Sequence, residues 1–342
     1  MSELLVRTDS GLYCPEGDFY IDPWRPIDRA VITHAHSDHA RWGMRRYLCA
    51  SDGLNVMRAR LGDEANIETA EYGDSIHMNA ARVSLHPAGH VLGSAQVRVE
   101  VNGEVAVVSG DYKTEPDATC RAFEPVRCHL FVTESTFGLP IYRWPAEGIV
   151  FSKINDWWRA NQSNGKCTFL MGYALGKCQR VLAKLDPSIG PIYMHGAVHR
   201  LTEAYRETGI ELPETLLVAD APRGTDWSKA IVLAPPSAHG STWMRRFGEY
   251  ATGFMSGWMA IRGTRRRRAI DRGFVLSDHV DWPSLIGTIG ETHAERVWVT
   301  HGYSAPVVRY LEEQGIDAQV LATQWEGESD TGIEVAEEAN EG

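Results

Sequence analysis

The chain has 342 residues, which is enough for one large domain or two ordinary ones. Its 43% hydrophobic and 23% charged residues exclude a disordered or fibrous chain. The formal net charge of −11 argues mildly against nucleic acid as a partner. No apolar stretch approaches the roughly 18 residues of a membrane-spanning helix, and the first residues lack a secretory signal pattern. We therefore expect a cytoplasmic protein with no membrane partner, whose six cysteines are reduced.

The charge is unevenly distributed. From Glu326 onward the chain has seven acidic residues and no basic one, so we expect residues 326–342 to form a disordered acidic tail. A basic cluster lies shortly before the last predicted strands, and its members are Arg262, Arg265, Arg266, Arg267 and Arg268. By itself this cluster is compatible with either a solvated basic loop or an anion-binding surface.

Ligand-type side chains follow the predicted strands in the outer parts of the chain. Residues 31–33 lead to His34, and a hairpin with Asn102-Gly103 at its turn leads to Asp111. The later strand-end residues are Glu134, His279 and His301, after residues 130–132, 274–276 and 297–299. In layered α/β folds, sites assemble just past the carboxyl ends of strands, so we expect these side chains to meet.

The stretch 141–267 differs from its surroundings. It alternates helical patterns, such as residues 149–160, with short strands and frequent Gly and Pro. We interpret it as a second α/β domain inserted into a first domain formed by residues 1–140 and 268–325.

The strongest local signal occupies residues 34–39. Three imidazoles and one carboxylate occur within six residues, namely His34, His36, Asp38 and His39. Buried without partners, these groups would cost several kcal/mol, whereas on a loop after a strand they can hold cations. Imidazole and carboxylate suit Zn²⁺ best and Mn²⁺ less strongly, so we expect two divalent cations, most simply Zn²⁺.

Three further residues complete the expected metal centre. His90 and His301 are the remaining imidazole ligands, and the carboxylate of Asp111 is expected to bridge the two cations. Asp22 is expected to orient a ligand histidine from outside the centre, the alternative being a turn residue before Pro23.

This arrangement resembles the metallo-β-lactamase superfamily, in which an HxHxDH motif, a later His, an Asp and a final His hold two metals. The resemblance implies an αββα sandwich. It also implies one cation on His34, His36, His90 and Asp111, and a second on Asp38, His39, Asp111 and His301.

Two motifs resemble the β-CASP nucleases of that superfamily. Residues 133–138 resemble their acidic motif, which implies that Glu134 orients His39. Residues 276–282 resemble their histidine motif, which implies that His279 contacts the scissile phosphate or handles a proton. The inserted domain then corresponds to a smaller β-CASP-like cap.

An alternative to His279 is His239, which also lies in a Ser-Ala-His context. Its position before the Arg cluster, and not between a strand and the last metal ligand, makes His279 the stronger assignment.

Segments within the insertion are similar to the bacterial DNA-ligase-associated exonucleases; they are residues 172–180, 194–198, 234–237 and 256–259. This resemblance implies a metal-dependent phosphodiesterase that acts as an exonuclease on 5′ ends of single-stranded DNA during repair, with a DNA ligase and a helicase as functional partners. Asp38 and Asp111 would offset the cationic charge.

Backbone phosphates would contact the arginines of the 262–268 cluster, and a terminal phosphate would dock on Lys177 and Arg180. The alternative for Lys177 and Arg180 is an ordinary helix start.

Three other functions stay open at this point. The first is a β-CASP ribonuclease acting on RNA, which the same site residues suit. The second is a lactam or thioester hydrolase, against which the long insertion argues. The third is a non-catalytic scaffold, against which the complete ligand set argues.

Overall fold

The computed structural model describes residues 3–261 and 269–326, so the five arginines of the 262–268 cluster and residues 327–342 lie outside the described residues. The described residues form two compact units. The first comes from Met1–Arg143 and Asp278–Gly327, and the second from Trp144–Ser277. Within the described ranges, no helix is both long and apolar enough to cross a bilayer.

The amino-terminal segment of the first unit is mostly strand. Its elements are β1 (Val6–Arg7), β2 (Leu12–Cys14), β3 (Phe19–Ile21), β4 (Arg29–Val31), β5 (Arg46–Ala50), α1 (Leu54–Leu61), β6 (Ile67–Ala70), β7 (Ile76–Met78), β8 (Ala81–Pro87), β9 (Ala95–Val101), β10 (Glu104–Val108) and β11 (Leu130–Ser135).

The second unit is a parallel α/β layer. Its elements are α2 (Glu147–Ser163), β12 (Cys167–Met171), α3 (Lys177–Leu182), β13 (Ile192–Met194), α4 (Gly196–Glu207), β14 (Leu216–Leu217), β15 (Ile231–Ala234), β16 (Tyr250–Met255) and β17 (Arg272–Phe274). Among the described residues its strands lie in the order β14-β13-β15-β12-β16-β17. All five pairs of neighbouring strands in this order are parallel, as expected when helices connect the strands.

The chain returns to the first unit through α5 (Trp282–Thr292), β18 (Arg296–Gly302), α6 (Ser304–Glu313) and β19 (Asp317–Val320). Strands β1 to β6 form one sheet in chain order, and a second sheet has the order β19-β18-β11-β10-β9-β8-β7. One cluster of buried side chains contains residues of both sheets, including Phe19 and Val31 from the first and Val97 and Val132 from the second. A separate cluster joins other side chains of β10, β11 and β18 to α5 and α6.

The expected strand before His279 belongs to a different sheet from the one that its sequence position indicated. β17 pairs in parallel with β16, from Gly253 opposite Arg272 to Met255 opposite Phe274. Residues 269–277 therefore lie with the second unit, and the chain re-enters the first unit at Asp278. The apolar pattern of residues 274–276 reports burial but not the sheet in which the burial occurs.

Candidate metal centre

Three neighbouring strands deliver side chains to one edge of the second sheet. β10 pairs in parallel with β11, and β11 with β18, so their carboxyl ends point the same way. Asp111 follows β10, Glu134 is the next-to-last residue of β11, and His301 is the next-to-last residue of β18. Parallel pairing is thus the reason that residues far apart in the chain meet here.

The first sheet supplies the motif of residues 34–39 from the end of β4. The carbonyl of Thr33 accepts a 2.8 Å hydrogen bond from the amide of Ala95 in β9, which joins the two sheets beside the motif. Gly110 has a φ of +58°, and a Cβ there would lie 2.6 Å from the Cβ of Thr33. Only glycine allows the Asp111 loop to approach the first sheet this closely.

One group of donors surrounds Oδ2 of Asp111. The Nε2 atoms of His34 and His90 lie 3.5 and 3.8 Å from that oxygen. His36 joins them, with its Nδ1 3.1 Å from Nε2 of His90. The four residues offer ligand atoms that all lie within 4.8 Å of one another, a spacing that one cation could bridge.

The other oxygen of Asp111 faces a second group. Its Oδ1 lies 3.1 Å from Nε2 of His301 and 3.7 Å from Nε2 of His39. Oδ2 of Asp38 lies 3.4 Å from the same nitrogen of His39. The carboxylate of Asp111 therefore turns one oxygen to each group of side chains, as a bridging ligand would.

Several of these donors are buried without a partner. Nε2 of His34, His39 and His301 and Oδ1 of Asp111 are inaccessible to solvent, and among the described residues none has a partner with hydrogen-bond geometry. The 3.1 Å approach of His301 to Asp111 does not have that geometry either. Each such atom costs about 1–3 kcal/mol when left unsatisfied. Divalent cations between the two groups would satisfy all four, so the residues present fit a metal centre.

The electrostatics suit cation binding at His34, His90, Asp38 and Asp111, whereas His39 would have to release a proton to bind a cation. Burial and the neighbouring histidines hold the pKa values of His34 and His90 well below the usual range, so these imidazoles are neutral. Burial raises the pKa values of Asp38 and Asp111, but the adjacent histidines outweigh it and hold both well below the usual range. For His39 burial lowers the pKa, and the surrounding carboxylates raise it well above the usual range.

Asp22 holds His39 in place. Its Oδ2 lies 2.6 Å from Nδ1 of His39, which leaves Nε2 facing Asp111. The same carboxylate accepts bonds from the amide and the hydroxyl of Thr33, at 2.8 and 2.5 Å. Asp22 is fully buried and adopts the left-handed backbone region at φ +42°, a conformation that these bonds maintain.

Glu134 contacts a different histidine from the expected one. Its Oε2 and Oε1 lie 2.9 and 3.1 Å from Nδ1 of His279, and Oε1 also accepts a 2.8 Å bond from the amide of Tyr112. The expectation that it orients His39 is therefore corrected, because Asp22 occupies that position. The cause is strand order: β11 ends beside the Asp111 loop, where the amide of Val280 binds the carbonyl of Tyr112.

His90 is oriented by a backbone carbonyl. Its Nδ1 donates a 2.8 Å hydrogen bond to the carbonyl of Asp278, so Nε2 is the atom left for a ligand. Asp278 directly follows the second unit in the chain.

Sequence reasoning missed two residues beside the centre. The ring of Trp325 stacks on His39, with centroids 5.5 Å apart and an interplanar angle of 20°. The amide of Glu326 donates a 2.9 Å bond to Oδ2 of Asp38. The acidic run without a basic residue that begins at Glu326 predicts a disordered tail, and for Glu326 itself this prediction is wrong. A lone tryptophan in such a polar stretch is the signal that could have marked the segment.

The predicted phosphate-binding residues of the second unit lie in its interior. Arg180 is 3% exposed, its guanidinium donates to the carbonyl of Ser277, and it forms an ion pair with Glu147. Lys177 is also buried, with its ammonium 5.2 Å from the ring centroid of Tyr173. These contacts account for both side chains structurally and argue against phosphate binding. His239, the alternative to His279, is exposed in the second unit.

No family model matches the chain. Curated proteins do, and they include nucleases. An RNase J-like protein of Methanocaldococcus jannaschii is 23% identical over 233 residues, which is 58% of this chain and 55% of that protein. The endoribonuclease YSH1 of Saccharomyces cerevisiae is 30% identical over 175 residues, or 46% of this chain and 22% of that protein. These similarities, with the motif of residues 34–39, confirm the resemblance to the β-CASP nucleases of the metallo-β-lactamase superfamily that the sequence indicated.

A longer alignment joins the chain to a bacterial protein. A probable DNA ligase of Opitutus terrae is 31% identical over 322 residues, covering 92% of this chain but only 31% of that protein. The chain thus spans less than a third of this relative and about half of the RNase J-like protein. A crystal structure of a protein of unknown function from Enterococcus faecalis superposes with a TM-score of 0.57 at 12% identity, covering 87% of this chain and 80% of that one, and shows the fold alone.

Proposed function

We propose that the protein is a two-cation phosphodiesterase that degrades single-stranded DNA from its 5′ end during the processing of DNA ends for a ligase. The observation that carries the proposal is the carboxylate of Asp111, with one oxygen facing each group of donors. Within this proposal, the two sheets of the first unit are the metallo-β-lactamase sandwich and the second unit is the β-CASP-like cap. The boundaries near residues 140 and 268 then move to the unit limits at 143 and 277.

The donor set favours Zn²⁺, with Mn²⁺ as the second candidate, because the ligands are imidazole and carboxylate. Two bound cations would supply a hydroxide at neutral pH and a positive charge for the phosphoryl oxygens. The role of the protein side chains is to bind the cations that carry this charge. Asp38 and Asp111 are kept ionised, and His34 and His90 are kept neutral, so each side chain is in the form that binds a cation.

His279 is the chain's group for the phosphate or the leaving oxygen. Glu134 fixes Nδ1 of its ring, so Nε2 is the atom that donates or accepts a proton.

The assignment to DNA rests on the alignment with the probable DNA ligase. That alignment takes up only 31% of the relative, so in that protein a region similar to this chain is part of a longer polypeptide named for joining DNA. An enzyme that trims ends and a ligase that seals them act on the same substrate, which gives the combination a chemical reason. A helicase partner is the further expectation of this proposal.

RNA is the alternative substrate. The endoribonuclease YSH1 and the RNase J-like protein are relatives whose names refer to cleavage of RNA. The site residues described above suit either sugar, because they surround the position of the phosphate.

The test compares one sequence made as DNA and as RNA, each with a 5′ phosphate and a fluorophore at one end or the other. With Zn²⁺ or Mn²⁺ supplied, the proposal expects nucleotides to leave the 5′ end of the DNA. Asp111→Asn should lower the rate by at least about 1,000-fold, since both cation groups lose a ligand. The matched control is Asp63→Asn at an exposed aspartate. Intact DNA with degraded RNA would transfer the function to RNA, and equal activity of the Asp111 variant would overturn the site.

A further inference from the structure

The segment after β19 forms a strap that ends at the metal centre. The C-terminal strap, defined as residues 321–326, is fixed along its length by backbone contacts. The amide of Leu321 donates 2.9 Å to the carbonyl of Val299 in β18. The side chains of Arg7 and Arg41 then donate to the carbonyls of Ala322 and Gln324, at 2.7 and 2.8 Å.

Trp325 secures the end of the strap against the second group of donors. Its ring is 4% exposed and stacks on His39, and its indole N–H donates 2.9 Å to the carbonyl of Asp22. Trp24 packs edge-on against it at 6.2 Å between ring centroids. One side chain thus contacts both a candidate ligand and the residue that orients this ligand.

The next residue contacts a second candidate ligand through its backbone. The amide of Glu326 donates 2.9 Å to Oδ2 of Asp38, while the glutamate side chain is exposed. A carboxylate that accepts a backbone hydrogen bond is held in one orientation. The strap therefore restrains both Asp38 and His39, the two members of the second group that come from the first sheet.

We propose that the C-terminal strap is a positioning element of the second cation group, and that strap docking and cation binding at Asp38, His39 and His301 are coupled. The inference rests on the proposed two-cation function. A docked strap holds the two ligands where a cation needs them, so it raises the affinity of that group. By linkage, a bound cation must favour the docked strap by the same factor.

The first test removes a single backbone hydrogen-bond donor from the full-length protein. Glu326→Pro deletes the amide that reaches Asp38, and Glu326→Ala is its matched control because it keeps that amide. Co²⁺ binding is followed by calorimetry and by the visible spectrum of the bound ion. We expect two cations in the wild type and in Glu326→Ala. In Glu326→Pro the second cation should bind about 10-fold to 100-fold more weakly, and the first should be unchanged.

A second variant separates the ring from the indole N–H. Trp325→Phe keeps a ring to stack on His39 but loses the donor to Asp22, whereas Trp325→Leu loses both. We expect the affinity of the second cation to fall in that order. Trp42→Leu is the control, since that tryptophan is 60% exposed. A role limited to packing would lower the thermal stability of these variants without changing the affinity of one cation relative to the other.

The coupling has a readout in the unaltered protein as well. Amide exchange of residues 321–326 in the wild type should slow when Co²⁺ is added, which decides the question even if Glu326→Pro does not fold. Unchanged second-cation affinity in Glu326→Pro, or exchange of the strap that ignores Co²⁺, would overturn the inference. A wild type that binds fewer than two cations would instead overturn the proposed two-cation function.

Discussion

Three buried carboxylates in the first unit each contact a different set of histidines. Asp22 holds His39, Glu134 holds His279, and Asp111 stands between the two groups of donors. Burial of a carboxylate is costly unless partners compensate, and each of these has partners at hydrogen-bond distance or within 4 Å. Asp22 and Glu134 thus position histidines, whereas Asp111 is a candidate cation ligand. Substitutions at these three residues should therefore impair different properties of the protein.

Glu134→Gln tests the positioning of His279. Glutamine keeps the size and one acceptor oxygen but loses the charge, so the ring keeps its place and loses its electrostatic support. We expect kcat to fall about 100-fold with two cations still bound, and a similar loss in His279→Ala. The double variant should be no slower than the slower single variant, because the residues act as one unit. Additive losses in a double-mutant cycle would contradict the pairing, and Glu64→Gln at an exposed site is the control.

The cysteines give a test that does not depend on catalysis. None of the six forms a disulfide, and Cys120 is the one that is partly exposed. Burial raises the pKa values of Cys49, Cys128 and Cys167 to about 12, so these thiols stay neutral and unreactive at pH 8 to 9.

Ellman's reagent should therefore modify one thiol rapidly in the native protein and six after denaturation. Cys120→Ser should remove the rapid phase. Rapid reaction of two or more native thiols would show that the interior opens more readily than these burials imply.

The candidate ligands were predictable because their motif is local and its residue types are costly to bury for any other reason. The partner of Glu134 was not predictable in this way. Whether it meets His39 or His279 depends on which loops lie beside the end of β11, and this is a property of strand order that residues 133–138 do not encode.

At the scale of the elements, the loop after β10 lies very close to Thr33, which follows β4. Gly110→Ala would put a Cβ 2.6 Å from Thr33, at a backbone φ of +58°. Gly103→Ala meets nothing within 4 Å, at a φ of +87°, so it isolates the conformational cost. We expect about 1 kcal/mol of destabilisation at Gly103 and roughly 2–4 kcal/mol at Gly110, measured by chemical denaturation. Equal losses would mean that the Asp111 loop can move away from Thr33.

Arg180 connects elements within the second unit. Arg180→Met should destabilise the protein by roughly 3 kcal/mol, because Glu147 loses its partner in a partly buried pair. The salt dependence of nucleic-acid binding should not change, since this guanidinium is already engaged. Arg159→Met is the control at an exposed ion pair in the same unit and should change stability little. A lower salt slope in Arg180→Met would restore the phosphate-binding role.

Local sequence patterns predicted the strands better than they predicted which strands pair with each other. The hairpin at Asn102-Gly103 is confirmed, with Val101 opposite Glu104 in antiparallel register. Its turn chemistry is specified by two adjacent residues. β17 instead pairs in parallel with β16, and a parallel pair is not joined by a tight turn. The apolar pattern of residues 274–276 therefore could not show to which sheet this strand belongs.

At the scale of the whole molecule, the metal centre joins the two sheets of the first unit. His34 and Asp38 follow β4 of one sheet, whereas Asp111 and His301 belong to the edge of the other. Cations that bind the folded arrangement and not the unfolded chain would stabilise this unit.

Removal of the metal should therefore act on one unit. At a free cation concentration of about 1,000 times Kd the gain is about 4 kcal/mol, so a chelator should lower the melting temperature of the first unit by roughly 10 °C. Differential scanning calorimetry should show an unchanged transition for the second unit. Asp111→Asn should make the scan insensitive to chelator, and an equal downward shift of both transitions would contradict the assignment.

The bond from His90 to the carbonyl of Asp278 has a practical consequence for engineering. The junction at which the chain returns from the insertion supplies the acceptor for His90 and, one residue later, His279. An exchange of the inserted unit between relatives should therefore be spliced before Asp278, with residues 278–281 retained from the recipient. A graft that carries the donor's version of those residues would change the contacts of His90 and Glu134 along with the inserted unit.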